Sequence, residues 1–544
     1  MKKITTFLLS GVLAMGALSA FAGCGRVVDG IDPNKKQVYV SIFNGGFGTD
    51  WLQAAADDFN ALPENSEYQV WINPVSDDAL TTIEANIAAG TSNTSVYFTT
   101  MPDVKSMIEK NMLSDLSDLL GVRPDGESGK TIGEKMLNAD LVKSAFSNKN
   151  KSGLYALPYG DAFAGLIYDH QFFLDNGFLL TDETGALTVG RDGKAGTYDD
   201  GHPETESEWR DMIESIQISG YKPFLHNTKY PDYLTSIVDS MLAQYEGVDN
   251  YNTFYKYEGT YTCGDGSRQE ITPKTGNRVF AMEGIRKSLD FFDENFTNNR
   301  EWVHVASWDS TALDHKEAQH KFVLGYKGSS DNTQAGFLVD GSWWENESRS
   351  LFNTLGKSEE GRGFGEREYR FMLLPRLEGS KQTKETGSVM SCIDTGSVFV
   401  VKNEKDPQLE QKAKEFVAYT LSEKNLKRYT LANGCIRPYS YTLNDEELKT
   451  LTPFQRNVWE MYHDTENMTL VRPEIEKLVS PINYATNKVR NRWFVEINNM
   501  GYYNPLIGLR RTDGKTYSQS LIDYYGDSKW QGFYSAVEEY YSGN

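Results

Sequence analysis

The chain has 544 residues and a formal net charge of -21, because 76 acidic residues outnumber 55 basic ones. This length exceeds one ordinary domain and is typical of two or three. Such an acidic surface repels a phosphate backbone, so a nucleic-acid partner is disfavoured. Hydrophobic residues at 39% are enough to fill sizeable cores, which argues against a largely disordered chain.

The first 23 residues have the pattern of an export signal. Two lysines precede a long apolar run that ends in small residues at Ala22 and Gly23 and is followed by Cys24. A basic start, an apolar centre and small residues before the cleavage point are typical of a signal peptide. Cys24 offers a thiol for lipid transfer, as in a bacterial lipobox. We therefore expect a signal peptide at 1–23 and lipidation at Cys24, with ordinary cleavage or an uncleaved anchor as alternatives.

The next residues and the remaining cysteines agree with an exported protein. Residues 24–36 are short, polar and glycine-containing, so they are expected to form a lipidated tether on the extracytoplasmic face of the cell membrane. Three further cysteines, Cys263, Cys392 and Cys435, cannot all pair, and at most one disulfide forms. Their separation argues against a close metal-ligand cluster, and buried unpaired thiols are the simplest interpretation.

Strands and helices alternate in the first part of the chain. The predicted strands cover residues 37–43, 68–72 and 95–99, and the predicted helices cover 51–62, 79–89 and 104–110. Such alternation predicts a parallel sheet with helices on both faces. Ligands bind outside the carboxyl ends of the strands in such sheets. The loops 44–50 and 99–103 are therefore expected to border a ligand site.

Helices dominate the later part of the chain, with strands between them. The predicted helices cover 206–217, 233–244, 277–295, 313–326, 407–421, 422–434, 453–462 and 471–500, and the predicted strands 165–168, 336–339, 369–374 and 397–401. No linker rich in proline or serine splits the chain, which predicts two lobes with several chain crossings and a hinge. The predicted lobes are an N-terminal α/β lobe, 37–155 with parts of 300–400, and a helix-rich C-terminal lobe, 156–300 with 397–544.

Several segments, in a fixed order, resemble those of a known family. They are residues 154–168 (LYALPYGDAFAGLIY), 169–177, 206–209, 340–343 (DGSW), 396–401 and 434–438. In this order and spacing they resemble the extracellular solute-binding proteins of ABC importers, of the carbohydrate-binding type, over residues 37–440. The resemblance implies a two-lobed α/β fold, like that of periplasmic binding proteins, with a hinge and an interlobe cleft. It also implies a carbohydrate ligand that is delivered to the transmembrane subunits of a permease.

A sugar site needs an aromatic platform and planar polar groups, because a sugar has one fairly apolar ring face and many hydroxyls. Residues of these types lie in or beside the predicted loops at Asn44, Trp51, Tyr159, Asp161, Asp340, Trp343, Trp344 and Arg437. Trp343 or Trp344 is expected to stack on a sugar ring. The two aspartates and Arg437 are expected to bind hydroxyls through charge-assisted hydrogen bonds. The structural alternatives are a tryptophan in the core, an acid or amide that closes a turn, and an arginine in an ion pair.

A glycine-rich loop at 190–201 carries spaced acids and allows a second hypothesis. Asp192, Asp199 and Asp200 are candidate calcium ligands. However, Lys194 and Gly196 occupy positions where an EF-hand loop has ligands. An ordinary solvated hairpin is therefore favoured, and no metal or other cofactor is expected.

The sequence lacks the motifs of common hydrolases. It has no nucleophile elbow, no H-E-x-x-H motif and no cysteine–histidine cluster, and only seven histidines are present. A binding protein rather than an enzyme is therefore expected. We also expect the protein to act as a monomer. The alternatives are a surface adhesin for carbohydrates and a glycoside-processing enzyme with two carboxylates.

Overall fold

A computed structural model gives the structure of most of the chain. It describes residues 30–542 apart from 76–81, 100–103, 149–151, 231, 264, 311, 326–333, 383–386, 481–494, 497–501 and 504–515. The expected signal peptide, Cys24 and part of the tether lie outside the described residues. Within the described part, no helix combines the length and the apolar character needed to cross a membrane.

The first part of the chain alternates strands and helices as predicted. Its elements are β1 (Lys36–Phe43), α1 (Asp50–Asn60), β2 (Tyr68–Val75), α2 (Ile83–Ala88), β3 (Val96–Thr99), α3 (Lys105–Glu109), α4 (Ile132–Lys135) and α5 (Ala139–Ala145). Strand β1 lies between β2 and β3 and is parallel to both, which confirms the predicted parallel sheet. Helix α1 buries one face, including Trp51, Leu52 and Phe59, because its apolar residues recur at helical spacing.

The middle of the chain is richer in helix. Its elements are β4 (Leu157–Asp169), α6 (His170–Asn176), α7 (Glu206–Ile218), β5 (Lys222–His226), α8 (Asp232–Glu246), α9 (Val248–Lys256), β6 (Gly259–Thr262), β7 (Arg268–Ile271), α10 (Glu283–Phe292), α11 (Val305–Asp309), α12 (His315–Leu324), β8 (Ala335–Gly341), α13 (Trp344–Glu347), α14 (Arg349–Leu355) and β9 (Tyr369–Met372). Helix α7 begins at a capping box in which Thr205 and Glu208 exchange hydrogen bonds with each other's backbone.

The last part returns to the sheet and then ends in helices. Its elements are β10 (Ser388–Val400), α15 (Pro407–Tyr419), α16 (Glu423–Asn433), α17 (Asp445–Thr450), α18 (Pro453–His463), β11 (Met468–Val471), α19 (Pro473–Val479), β12 (Val495–Glu496), β13 (Tyr502–Tyr503), α20 (Tyr517–Tyr524) and α21 (Asp527–Ser542). Short segments of 3₁₀ helix lie at Pro63–Asn65, Ser117–Gly121 and Pro273–Ala281, and a π turn lies at Asp293–Thr297.

Two predicted helices differ from those observed. The segment 277–295 begins as a 3₁₀ segment, and the α-helix starts only at Glu283. Gly276 lies in this 3₁₀ segment and allows close packing, because a Cβ there would come within 2.6 Å of the Trp530 ring. The segment 471–500 is helical only over α19 in its described part, and residues 495–496 form a strand.

One sheet joins the two halves of the molecule. Its strand order is β2-β1-β3-β10-β4-β8-β5, with β11 also beside β10 and β9 also beside β4. Strands β4 and β10 are long, and each pairs with different neighbours along its two halves: β10 with β11 and then β3, and β4 with β10 and then β8 and β9. These two strands therefore pass from one half to the other.

The buried apolar side chains form two clusters, and both reach the strands on the second side of the sheet. The first cluster contains the side chains of β1 to β3, α1, α15 and α16, which we call the first lobe, and it continues onto Leu225 of β5 and Leu338 of β8. The other contains those of α7 to α10, and we call this half, with β5 and β8, the second lobe. The second cluster is rich in aromatic rings, such as Trp209, Phe224 and Phe337, which stack with centroids 5.8–6.2 Å apart.

Candidate ligand cleft between the lobes

The strand register brings the carboxyl ends of both lobes to one place. Strand β3 ends at Thr99, which lies beside Ser397 of β10, and Ser397 lies beside Pro158 of β4. Strand β8 runs in the opposite direction and ends at Gly341, beside Ala164 of β4. Strands β1 and β5 run parallel to β3 and β8 respectively. The carboxyl ends of four strands therefore approach residues 158–164 from two sides, which is where ligands bind in α/β folds.

The loops after β1 and β8 touch across this cleft. Gly46 packs on Trp343 so closely that a Cβ at residue 46 would come within 2.7 Å of the Trp343 ring. The Phe47 and Trp343 rings lie 5.9 Å apart, and Asn346 donates a hydrogen bond from Nδ2 to the Gly46 carbonyl. Tyr233, at the start of α8, meets the Trp343 ring edge-on at 5.6 Å. Trp343 is therefore part of a contact between the lobes.

The second predicted tryptophan, Trp344, has different surroundings. It is fully buried and packs edge-on against Tyr369 at 5.0 Å and Phe454 at 5.8 Å. Both tryptophans are buried, but Trp343 lies in the contact between the loops, whereas Trp344 lies deeper in the core. Asn44, another predicted ligand-binding residue, directly follows β1 in the loop that contains Gly46. It is exposed, and its backbone N–H donates a hydrogen bond to the Val75 carbonyl.

Trp51, Tyr159 and Arg437 form one buried cluster. The Trp51 and Tyr159 rings stack with centroids 6.4 Å apart, and the Arg437 guanidinium lies 5.2 Å from the Trp51 ring. Arg437 donates from Nε to the Tyr159 carbonyl at 2.9 Å and from Nη1 to the Thr420 carbonyl at 2.5 Å. Burial lowers the pKa of Arg437. These contacts attach the first residues of β4 to the end of α15.

Asp161 lies in β4, within residues 158–164 that the strand ends of both lobes approach, and it is buried. Its Oδ2 accepts hydrogen bonds from Arg472 Nε at 2.8 Å and from the Tyr462 hydroxyl at 2.8 Å. Its Oδ1 accepts one from Thr395 of β10 at 3.2 Å. Burial alone would lower the pKa of Arg472, but the attraction of Asp161 raises it above its usual range. This network joins both crossing strands to the end of β11.

Asp340 lies at the end of β8 in a network that sequence reasoning did not identify. It accepts hydrogen bonds from the Gly341 backbone at 2.7 Å and from Gln319 at 3.0 Å. Burial, followed by repulsion from Glu347, raises the pKa of Asp340 to about 8. Gln319 also donates to Glu347 at 2.8 Å, and a ring nitrogen of His315 lies 3.2 Å from that carboxylate.

His315 connects this network to the cleft. Its ring stacks on Tyr233, with centroids 6.0 Å apart, and Tyr233 in turn contacts Trp343. Burial would lower the pKa of His315, but the hydrogen bond and charge of Glu347 raise it. The sequence does contain a local signal for this element, because Asp314 caps α12 directly before the histidine. Nothing in the sequence indicated that it would lie beside Trp343.

A cavity of about 380 Å³ lies between α5 and the last strand of the main sheet. It is lined by residues 138–141, Val248, Asn252, Leu470, Val471, Arg472 and Glu476. Strand β11 is parallel to β10 and ends beside Ser391 of that strand. Its carboxyl end therefore also points toward residues 158–164 of β4. Arg472 lines the cavity and binds Asp161 at the same time. The cavity thus opens beside the crossing strands.

The glycine-rich loop at 190–201 is held by its own backbone and by a buried arginine. Asp199 accepts hydrogen bonds from the backbone of Arg191 at 2.7 Å and of Asp192 at 3.2 Å, and Asp200 accepts one from Gly196. In the described part of the chain, no three side chains of histidine, cysteine or acids group as metal ligands. The calcium hypothesis therefore gains no support.

Arg191 of the same loop reaches into the protein. It donates to the Ser388 hydroxyl at 2.7 Å, the Leu374 carbonyl at 2.6 Å and the Pro203 carbonyl at 3.2 Å. Ser388 is the first residue of β10, so this loop fixes the start of a crossing strand. Among the described residues, Cys263, Cys392 and Cys435 form no disulfide, and the last two are buried.

Two lobes whose strands direct their carboxyl ends into a shared cleft define a class of protein that holds a small ligand between its halves. The family model of the bacterial extracellular solute-binding proteins matches residues 48–427. The chain therefore belongs to this family, whose members are binding proteins found outside the cytoplasm. No curated protein sequence matches the chain well enough to count as a relative.

Solved structures share the fold over nearly the whole chain. One comes from work on xylan utilization by the thermophilic bacterium Caldanaerobius polysaccharolyticus: it is 14% identical, with a TM-score of 0.54 over 92% of this chain and 99% of that one. A chitin oligosaccharide binding protein is 15% identical, with the same TM-score and coverage. A probable secreted solute-binding lipoprotein from Streptomyces coelicolor is 12% identical, with a TM-score of 0.53 over 93% and 99%. At these identities the likeness concerns the fold.

Proposed function

We propose that this protein captures an oligosaccharide outside the cytoplasmic membrane and delivers it, unchanged, to the transmembrane subunits of an ABC permease. The observation that carries the proposal is the convergence of strand ends from both lobes on residues 158–164, in a chain of the solute-binding family. Structures that share the fold include a chitin oligosaccharide binding protein, which supports a carbohydrate ligand.

The chemistry of the cleft supports the same ligand class. Tyr233 is a half-buried aromatic ring that covers Trp343, and Asn44 is an exposed amide at the end of β1. His315 and Glu347 lie directly behind Tyr233. Aromatic rings for the apolar faces of a sugar, with amide and acid groups for its hydroxyls, are the combination that such a ligand requires.

The mechanism in this proposal is closure of the lobes around the sugar. Ligand contacts to both lobes favour the closed form, and bending occurs in β4 and β10, where register shifts interrupt the pairing near Cys392 and Gly396. The protein acts as a monomer and performs no reaction on the sugar. The alternatives remain a surface adhesin and a glycoside-processing enzyme.

One experiment separates these functions. The purified protein is mixed with xylo-, chito- and malto-oligosaccharides while tryptophan fluorescence and product release are both recorded. Saturable binding without product, together with a smaller radius of gyration in X-ray scattering, supports a transport binding protein. Product release identifies an enzyme, whereas binding to polymers at least as tight as to oligosaccharides identifies an adhesin. Failure of every sugar to bind refutes the proposal.

The proposal includes a lipid anchor at Cys24. The lipobox-like sequence suggests it, and the Streptomyces coelicolor protein of the same fold is described as a lipoprotein. Expressing cells are grown with a labelled fatty acid, and Cys24→Ala is expected to abolish both labelling and membrane association. The control Cys263→Ala, at another unpaired cysteine, is expected to keep both. Labelling that persists in Cys24→Ala contradicts the anchor.

A further inference from the structure

The segment after residue 445 extends beyond the part of the chain that the family model matches, and its elements β11 and α19 line the cavity beside the crossing strands. Helix α19 packs against both α5 and α9. The buried side chains of α5 and α19 belong to the first core cluster and those of α9 to the second, so the cavity lies where the two clusters meet. The C-terminal segment therefore supplies part of an interlobe surface.

A second cavity of about 380 Å³ continues along α9. It lies between α9 and the β6–β7 hairpin and is lined by Asp249, Asn252, Thr253, Lys256, Glu258, Gly259, Thr260, Thr262 and Arg268. Asn252 borders both cavities, so the two lie end to end along one helix. Each volume falls within the range of about 300–1,000 Å³ that is typical of small-ligand sites.

The lining is suited to hydroxyl groups. Asn138 and Asn252 offer amides that both donate and accept hydrogen bonds, and the second cavity adds the hydroxyls of three threonines. Leu141 and Leu470 add aliphatic surface in the first cavity. Polar and aliphatic groups together suit a sugar, whose hydroxyls need hydrogen bonds and whose ring faces are fairly apolar.

The charges disfavour an anionic ligand. In the first cavity Asp140 and Glu476 face a single cation, Arg472, whose guanidinium already binds Asp161. In the second cavity two acids and two bases balance each other. Neither cavity has the surplus of arginine or lysine that a chain of carboxylated sugars would require.

We infer that the C-terminal segment and α9 extend the interlobe cleft into a groove that binds the outer units of an uncharged oligosaccharide. This inference rests on the proposed function and adds the length and charge of its ligand. The first units lie at the cleft beside Trp343, and the later units occupy the two cavities along α9.

The inference is tested with neutral oligosaccharides of two to six units from the series that binds, and with uronate-containing oligosaccharides of the same lengths. In the wild type, affinity is expected to rise about tenfold from two to five units, which is the gain from one or two added hydrogen bonds. Uronate chains are expected to show no such rise. Disaccharide binding that does not strengthen with length overturns the inference but leaves the proposed function intact, whereas no binding at all removes both.

Two variants locate the groove. Asn252→Trp fills the junction of the cavities, and Thr260→Trp, at an exposed position of the hairpin, obstructs only the second one. Both are expected to weaken binding of the five-unit sugar about tenfold without changing disaccharide affinity, while the control Gln217→Trp, at a half-buried amide near the end of α7, changes neither. Unchanged affinity of both groove variants for the long sugar contradicts the assignment, and preserved disaccharide affinity shows that each variant is folded.

Discussion

Replacement of Gly46 by alanine tests whether the lobes close through the contact with Trp343. The new methyl carbon would lie 2.7 Å, 2.9 Å and 3.1 Å from three Trp343 carbons, whereas carbons in contact are normally about 3.5–4.0 Å apart. The two loops must therefore separate by roughly 1 Å, and overpacking of this kind costs about 1–3 kcal/mol. Because the contact spans the cleft, this cost applies to the closed form.

Gly46→Ala is therefore expected to weaken sugar binding about 5- to 150-fold. Calorimetric titration with the oligosaccharide that binds best measures the affinity, and thermal unfolding without sugar measures the stability of the free protein. The control is Gly532→Ala, because a Cβ at that helical glycine meets nothing within 4 Å. If Gly46→Ala binds sugar as tightly as the wild type but loses stability without sugar, the contact is permanent packing and the closure argument fails.

Three further predictions concern buried groups near the cleft. Arg472→Met is expected to lower the free energy of unfolding by about 3–5 kcal/mol, since it leaves the Asp161 carboxylate buried without its ion pair. The raised pKa of Asp340 means that the folded protein holds a proton which the unfolded chain releases, so this group is expected to lower stability by about 1.4 kcal/mol per pH unit as pH rises from about 4 toward 8. Trp343→Ala is expected to weaken sugar binding, and Trp344→Ala to cost about 3–5 kcal/mol of stability.

Urea unfolding measures each stability change, and each prediction has its own contrary result. Asp161→Asn combined with Arg472→Met should recover part of the stability lost in the single variant, and strict additivity would mean that the ion pair does not couple the two residues. Asp340→Asn should flatten the pH dependence between pH 5 and 7, and an unchanged slope contradicts the assigned pKa. Equal effects of both tryptophan variants on sugar affinity would remove the distinction between cleft and core.

Local sequence patterns predicted much of the fold because they reflect local causes. The β-branched residues of β1 and the helical spacing of the apolar residues in α1 predicted these elements and their parallel sheet. Asp406 and Pro407 predicted the start of α15, and Asp406 does accept a hydrogen bond from the Leu409 backbone. The length of β10 was not predicted, because its first half is stabilised by pairing with β11 about 80 residues later.

The candidate site was predicted less completely for the same reason. Loop positions after predicted strands led to Trp343, which does lie at the contact between the lobes. The pairing of Asp161 with Arg472 joins residues 311 positions apart, and no local pattern encodes it. His315 of α12 lies beside the cleft through its ring contact with Tyr233 of α8, 82 residues earlier, which depends on tertiary structure.

The buried side chain of Arg191 has a practical consequence for protein engineering. Composition alone would recommend the glycine-rich residues 190–201 as a place to insert an epitope or a fluorescent reporter. An insertion there would displace a guanidinium that binds Ser388, Leu374 and Pro203, and would loosen the start of β10. The preceding turn at 182–186 is exposed and is closed by the side chain of Asp182 within the turn itself. A reporter is better inserted in that turn, where it leaves the crossing strand intact.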